Sequence, residues 1–186
     1  MDTFHGRGRQ RAFSVIELMV TLTIAGILTV VAIPSFTEML KNNKRSVTLN
    51  ELLANVMLAR AEAAKRGQAV SVCGLPSSGA VSCAGGTNWD YGWIVFLDPD
   101  ADGVLAASSD VLKIYRNDYR PNLTVRTTTG GAGHVVLRPF NQSGTQATLK
   151  VCDTRGAAKA RVVCVGSNGR AVMQDTACNG GALTCP

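Results

Sequence analysis

The sequence predicts an α+β protein in which a long N-terminal helix, able to enter a membrane over its first part, packs on a C-terminal antiparallel β-sheet or sandwich. Three observations predict it. From Leu18 to Ile33 sixteen residues carry no charge. Leu49, Leu52, Leu53, Val56, Met57, Ala63 and Ala64 then recur at three- and four-residue steps, the spacing of an amphipathic helix. Beyond Gly67 helical periodicity gives way to eight short β-type runs separated by Gly, Ser, Asn and Asp.

The apolar element runs from Phe13 to Phe36. A helix of about 24 residues, at about 1.5 Å each, covers a hydrocarbon core of roughly 30 Å. Arg7, Arg9 and Arg11 stand just before it. An uncleaved signal anchor or a secretory signal peptide shares that layout, but a signal h-region spans about 7 to 15 residues and ends at an A-x-A-like site. Here the run is longer and continues into Pro34-Ser35-Phe36-Thr37-Glu38. Glu17 separates the readings further. A carboxylate inside such a segment costs about 2.5 to 3.5 kcal/mol, so it requires a cationic partner or a proton. No Lys or Arg lies within the run. The base most easily supplied is a new α-amine, made by cutting between Ala12 and Phe13. Pro34, lacking an amide hydrogen, is expected to kink or loosen the helix as it leaves the lipid, and Gly26 is a second weak point.

The second half of the helix carries Lys41, Lys44, Arg45, Arg60, Lys65 and Arg66 opposite its apolar face, and Gly67 is a natural stop behind two cations that suit the helix dipole. The organisation expected is a leader at 1–12, a membrane helix at 13–36, its amphipathic continuation at 37–66 and a β-rich domain at 67–186. Strand candidates are Ala69 to Cys73, Gly92 to Leu97, Val111 to Tyr115, Leu123 to Arg126, His134 to Arg138, Ala147 to Cys152, Arg161 to Val165 and Ala171 to Met173. Trp89, Trp93, Ile94, Phe96 and Leu97 surround one of them and read as core anchors.

All six cysteines lie in the β-rich part, and with an export signal they point to an oxidising compartment and disulfides. Spacing favours local pairs: Cys73 with Cys83, Cys152 with Cys164 across a hairpin, and Cys178 with Cys185. Zinc is a poor alternative without a C-x-x-C and with His134 the single imidazole after the leader. Asp98-Pro99-Asp100-Ala101-Asp102-Gly103 copies the first six positions of a calcium loop, making Asp98, Asp100 and Asp102 a weak calcium candidate. The bidentate glutamate expected six residues past the glycine is replaced by Ser109, and an Asp-rich turn accounts for the same residues. No catalytic residues and no cofactor are expected, since H-E-x-x-H and G-x-S-x-G are absent.

Charge divides the domain. Residues 67–112 hold five acids and no Lys or Arg, whereas residues 113–172 hold ten bases and two acids. Arg155, Lys159, Arg161 and Arg170 are therefore candidates for contact with nucleic-acid phosphates. The alternative is that these side chains are solvated, balance the acidic half or meet acidic neighbours in an assembly.

The basic leader, Phe13, Ser14, two aliphatics, Glu17, the apolar helix and Pro34 together resemble the prepilin leader of type IV pilins and type II secretion pseudopilins. One residue departs, with Ala12 where that family usually has glycine. Asn50-Glu51-Leu52-Leu53 through Ala63, Gly92 through Asp98, Arg138-Pro139-Phe140 through Gly144, Cys152-Asp153 and Ser167-Asn168-Gly169-Arg170 resemble the GspH/FimT group of minor pilins and pseudopilins. The resemblance implies cleavage before Phe13 by a prepilin peptidase, methylation of the Phe13 amine, and pairing of Glu17 with a neighbouring subunit's N-terminus. It implies other pilins or pseudopilins and inner-membrane lipid as partners, with the C-terminal domain in the periplasm. Some FimT-type proteins bind DNA through a C-terminal Gly-Arg-x-Arg motif. The corresponding run, Gly169-Arg170-Ala171-Val172, lacks the second arginine. The function expected is a minor type IV pilin, with a type II secretion pseudopilin as the alternative.

Overall fold

The computed structural model describes residues 13–128, 133–140, 142–143 and 146–186. The leader with Ala12, and Gly144 of the run beginning at Arg138, lie outside the described residues. Among the described residues one helix, α1 (Val15–Arg66), is followed by nine strands: β1 (Val70–Gly74), β2 (Gly92–Leu97), β3 (Val111–Arg116), β4 (Leu123–Thr127), β5 (His134–Arg138), β6 (Gln142–Ser143), β7 (Ala147–Asp153), β8 (Arg161–Val165) and β9 (Ala171–Gln174). Eight of them fall where the sequence places strands, within a residue or two; β6 is the addition. The strands form a five-stranded sheet in the order β3-β2-β1-β5-β6 and a four-stranded sheet in the order β4-β7-β8-β9. All these pairings are antiparallel.

The chain forms two compact units, divided after Leu40. In the first, every side chain described from Phe13 to Leu40 is exposed, and the helix continues without a break through Gly26 and Pro34. In the second, the helix belongs to the core. Leu49, Leu52, Val56, Ala59 and Ala63, at three- and four-residue steps, are buried with Val70, Val72, Trp93 and Val95 of the larger sheet and Leu123, Val125, Leu149, Val151 and Val163 of the smaller one. Met57 and Ala64, which the helical spacing also assigns to the apolar face, are exposed. Each sits one residue, about 100° of rotation, past a buried position. Arg45 departs in the opposite direction. Instead of standing on the solvated face it is buried, its Nη1 donating to the Lys159 carbonyl and its Nη2 to Asn42 Oδ1 at 3.3 Å.

The five-stranded sheet is covered on both faces, which is why burial in β1 and β2 is continuous rather than alternating. Trp93 and Val95 face the helix, with the Trp93 ring stacked on Tyr115 at a centroid distance of 4.2 Å, while Ile94 and Phe96 join Cys73 and Leu75 in a second cluster. Gly92 has φ 113°, and a Cβ there would lie 2.0 Å from the Tyr115 carbonyl oxygen, so close pairing of β2 with β3 requires glycine. Polar links join the sheets. Asn117 Nδ2 donates to the carbonyls of Asp90 and Leu123 at 3.0 and 3.1 Å, and the buried Asp90 carboxylate accepts from Val125 N at 2.8 Å and pairs with Arg126.

All six cysteines are bonded, as Cys73–Cys83, Cys152–Cys185 and Cys164–Cys178. The first is the local pair that spacing favours; the other two correct it. In the β7–β8 ladder Cys164 lies opposite Thr148, four residues before Cys152. At about 3.4 Å per residue that offset is roughly 13 Å, about twice what a disulfide spans. Both cysteines instead project on the outer face of the four-stranded sheet with Lys150, where the tail Asp175–Pro186 crosses and meets them.

Candidate functional site

The helix opens where Leu18 N donates to the Ser14 carbonyl at 3.1 Å, and Glu17 lies in its first turn. A carboxylate there complements the partial positive charge of the exposed amide ends. Glu17 is exposed, and the next acidic or basic residue along the helix is Glu38. The threonine hydroxyls along this part of the helix are satisfied within it. Thr21 and Thr23 donate to the carbonyls of Leu18 and Met19, each at 2.8 Å, Thr29 to Ala25, and Thr37 to Pro34 at 2.8 Å. Back-bonding of this kind lets threonine lie in hydrocarbon without an unmet donor. The helix is long and apolar enough to cross a membrane by length and composition. In the sequence these threonines are simply uncharged residues of an apolar run; the signal for their role is the three- or four-residue reach of each hydroxyl to a preceding carbonyl.

The four candidate phosphate-binding cations do not form one surface: Arg155 and Arg161 lie around Arg45, and Lys159 and Arg170 stand apart from each other. Arg155 is held by its neighbours: Nε lies 3.0 and 3.2 Å from the two carboxylate oxygens of Asp153, Nη2 is 2.5 Å from Oδ2, and Nη1 donates to Asn42 Oδ1 at 2.9 Å. The two side chains are only 11% and 4% exposed. Burial pushes the Asp153 carboxyl up, but hydrogen bonds from the Arg155 side chain and amide, with its charge, outweigh burial and hold it below the ordinary value. Arg161 is paired with Asp175 at 2.7 Å. Burial, and then repulsion from Arg155 and Arg161, hold Arg45 below the usual arginine value. Arg155, Arg161 and Arg45 thus form one cluster with the enclosed Asp153 and the exposed Asp175, which compensate its charge. Lys159, in the short turn Ala157–Lys159, and Arg170, before β9, are exposed and make no ion pair among the described residues. They flank opposite ends of β8, five residues and roughly 17 Å long.

The oxygens of Asp98, Asp100 and Asp102 converge to within 4.8 Å of one another. Asp98 is buried and already committed to the turn. It accepts from Ser71 Oγ, from Asp102 N at 3.2 Å and from Gly103 N at 3.0 Å, while Asp102 Oδ1 accepts from Val104 N at 2.7 Å. These bonds close a loop between β2 and β3. His134 packs its ring against Gly103, where a Cβ would approach its Cε1 to 2.3 Å. It is part of the same turn's packing.

Comparison with known proteins bears on the N-terminal segment and on the fold. The family model described as type II transport protein GspH matches residues 48–169, and that for the prokaryotic N-terminal methylation motif matches residues 7–33. Among solved structures the chain is similar to the type IV minor pilin FimU of Pseudomonas aeruginosa (strain PAO1) in two crystal forms. The TM-scores are 0.57 and 0.53 at 21% and 20% identity, over 75% and 73% of this chain and 96% and 98% of that one. No curated protein matches the sequence. At that identity the likeness to FimU is one of fold, a long helix on antiparallel sheets. With the family model covering most of its residues, the chain belongs to the GspH family of pilin-like proteins, whose fold is that of structural pilins rather than enzymes.

Proposed function

We propose that the chain is a minor type IV pilin, anchored in the inner membrane by the helix from Phe13 with its β-rich domain in the periplasm, and drawn from there into a pilus or pilus tip. The observation that carries the proposal is an apolar helix whose described side chains are all exposed from Phe13 to Leu40, with Glu17 near its start. A monomer in water cannot leave that surface uncovered; lipid covers it before assembly and neighbouring helices cover it after. Cleavage between Ala12 and Phe13 removes the basic leader and creates the amine that Glu17 of an adjacent subunit neutralises. The carboxylate is then satisfied only in the polymer.

The test is substitution of Glu17 by Val. That variant should insert into the membrane and be trimmed, yet be missing from sheared fibres; incorporation at the wild-type level would contradict the mechanism. The description of the matching family model favours a second reading, a minor pseudopilin of the type II secretion system. In that case deletion of the gene stops protein secretion and leaves pili unchanged.

DNA contact during uptake is a further part of the proposal, supported by the exposed Lys159 and Arg170. Two phosphate contacts give a slope of about −2 in log K against log salt. Arg170→Ala should reduce the slope by about 1, whereas absence of binding to duplex DNA at low salt would remove this role.

A further inference from the structure

The cysteines close first to second, third to sixth and fourth to fifth, so that Cys164–Cys178 is nested inside Cys152–Cys185. From this connectivity we infer that the chain is a client of a thiol–disulfide isomerase in the compartment that receives it, because oxidation of the unfolded chain first yields pairs that the fold cannot hold. The inference rests on export of the domain, as proposed above.

In an unfolded chain the frequency of contact falls with about the 3/2 power of the intervening length. Cys152 has Cys164 twelve residues away and its native partner 33 away, so the wrong contact is about five times more frequent. Cys185 has Cys178 seven residues away, and meets it about ten times more often than Cys152. The chain also emerges N-terminus first, presenting Cys152 and Cys164 before Cys178 and Cys185 exist to compete. The β7–β8 register then forbids the Cys152–Cys164 bond, since Cys164 belongs opposite Thr148. Nor does the noncovalent fold choose the native pairs. From Asp175 to Pro186 the tail forms neither helix nor strand, and only Ala177, Leu183 and Cys185 are half-buried. Apart from its two disulfides, it meets the sheet through polar contacts only: the exposed Asp175 on Arg161 at its start, the Lys150 ammonium on the Thr184 carbonyl, and contacts at Cys178.

The exchange balances without net oxidation. A thiolate of the isomerase attacks Cys152 Sγ in the Cys152–Cys164 bond, forming a mixed disulfide and releasing the Cys164 thiolate. Cys164 attacks Cys178 in the Cys178–Cys185 bond, closing Cys164–Cys178 and releasing the Cys185 thiolate. Cys185 then attacks Cys152 in the mixed disulfide, closing Cys152–Cys185 and returning the isomerase thiolate. The oxidations that make the first bonds are the work of a separate exported dithiol oxidase, which accepts two electrons per disulfide.

The experiment exports the full chain in a bacterial host with and without its disulfide isomerase and maps the bonds by mass spectrometry of unreduced peptides. Cys152–Cys185 and Cys164–Cys178 should dominate with the isomerase and fall about fivefold without it, Cys152–Cys164 and Cys178–Cys185 taking their place, while Cys73–Cys83 forms in both hosts. Substituting Cys164→Ser together with Cys178→Ser leaves four cysteines whose native order is consecutive. Cys152–Cys185 should then form equally in both hosts. Equal native pairing of the unsubstituted chain in the two hosts overturns the inference, folding then preceding oxidation. Isomerase dependence that persists in the double substitution also overturns it. Recovery of Cys73 and Cys83 as free thiols in both hosts overturns the export reading and this inference together.

Discussion

Removing Arg155 tests whether it is a structural residue or a cation held out for DNA. Its guanidinium forks over Asp153 with contacts of 2.5 to 3.2 Å, and the two side chains are 11% and 4% exposed. Breaking one partner of a pair this enclosed costs about 3 to 5 kcal/mol, because the survivor stays buried without its counter-charge. Arg155→Ala leaves Asp153 with the backbone amide at position 155 and the distant charge of Arg45, so a loss near 3 kcal/mol is expected. Asp153→Ala takes the counter-charge from Arg155, which stays beside Arg45 and Arg161, and about 4 kcal/mol is expected. The double variant should lose about 4 to 5 kcal/mol rather than 7, a coupling of about 2 to 3 kcal/mol. Urea unfolding of the Lys41–Pro186 unit measures all three. Acid provides a second arm. The folded Asp153 carboxyl is held below its ordinary value of 3.8, so its contribution is complete above that value and is lost as pH falls through the lower folded one. Arg155→Ala should remove that loss. A cost under 0.5 kcal/mol for Arg155→Ala, the usual range for an exposed arginine, would refute the structural role.

Two further substitutions address the core and the acidic turn. Leu52, fully buried on the helix, should cost about 3 kcal/mol as Leu52→Ala, and Met57, which is 55% exposed, under about 0.5 kcal/mol as Met57→Ala; unfolding midpoints distinguish them. Asp98→Ala strands the donors of Ser71, Asp102 and Gly103 and should cost about 3 kcal/mol equally in calcium and in chelator. A midpoint that calcium raises in the parent chain but not in Asp98→Ala would instead make the turn an ion site.

Periodicity carried most of the architecture to the surface of the sequence. Apolar steps along 49–63 located the buried helix stripe, and turn residues bounded eight strands because each strand is short and its ends must reverse direction. What stayed hidden depends on register and on packing across distance. Cys152 and Cys164 look like hairpin partners until the β7–β8 offset is known, and an offset of four residues leaves no mark on cysteine spacing. Arg45 follows the rhythm of a solvated face yet is buried, because the Lys159 carbonyl, more than a hundred residues on, is placed to receive it. Arg155 and Arg161 contributed to a basic half by count, but Asp153 and Asp175 neutralise them locally. Charge totals register how many cations exist and are blind to which are already engaged. Glu17 stands out in the sequence for the opposite reason, since a lone acid in an apolar run needs no tertiary contact to be conspicuous.

The most direct test of the assembly account is the intact mass of the chain recovered from membranes and from sheared fibres. The account predicts a polypeptide beginning at Phe13 with a methylated amine in both fractions. A chain in fibres that still begins at Met1 would contradict it, because the amine that Glu17 is held to neutralise would never have been made.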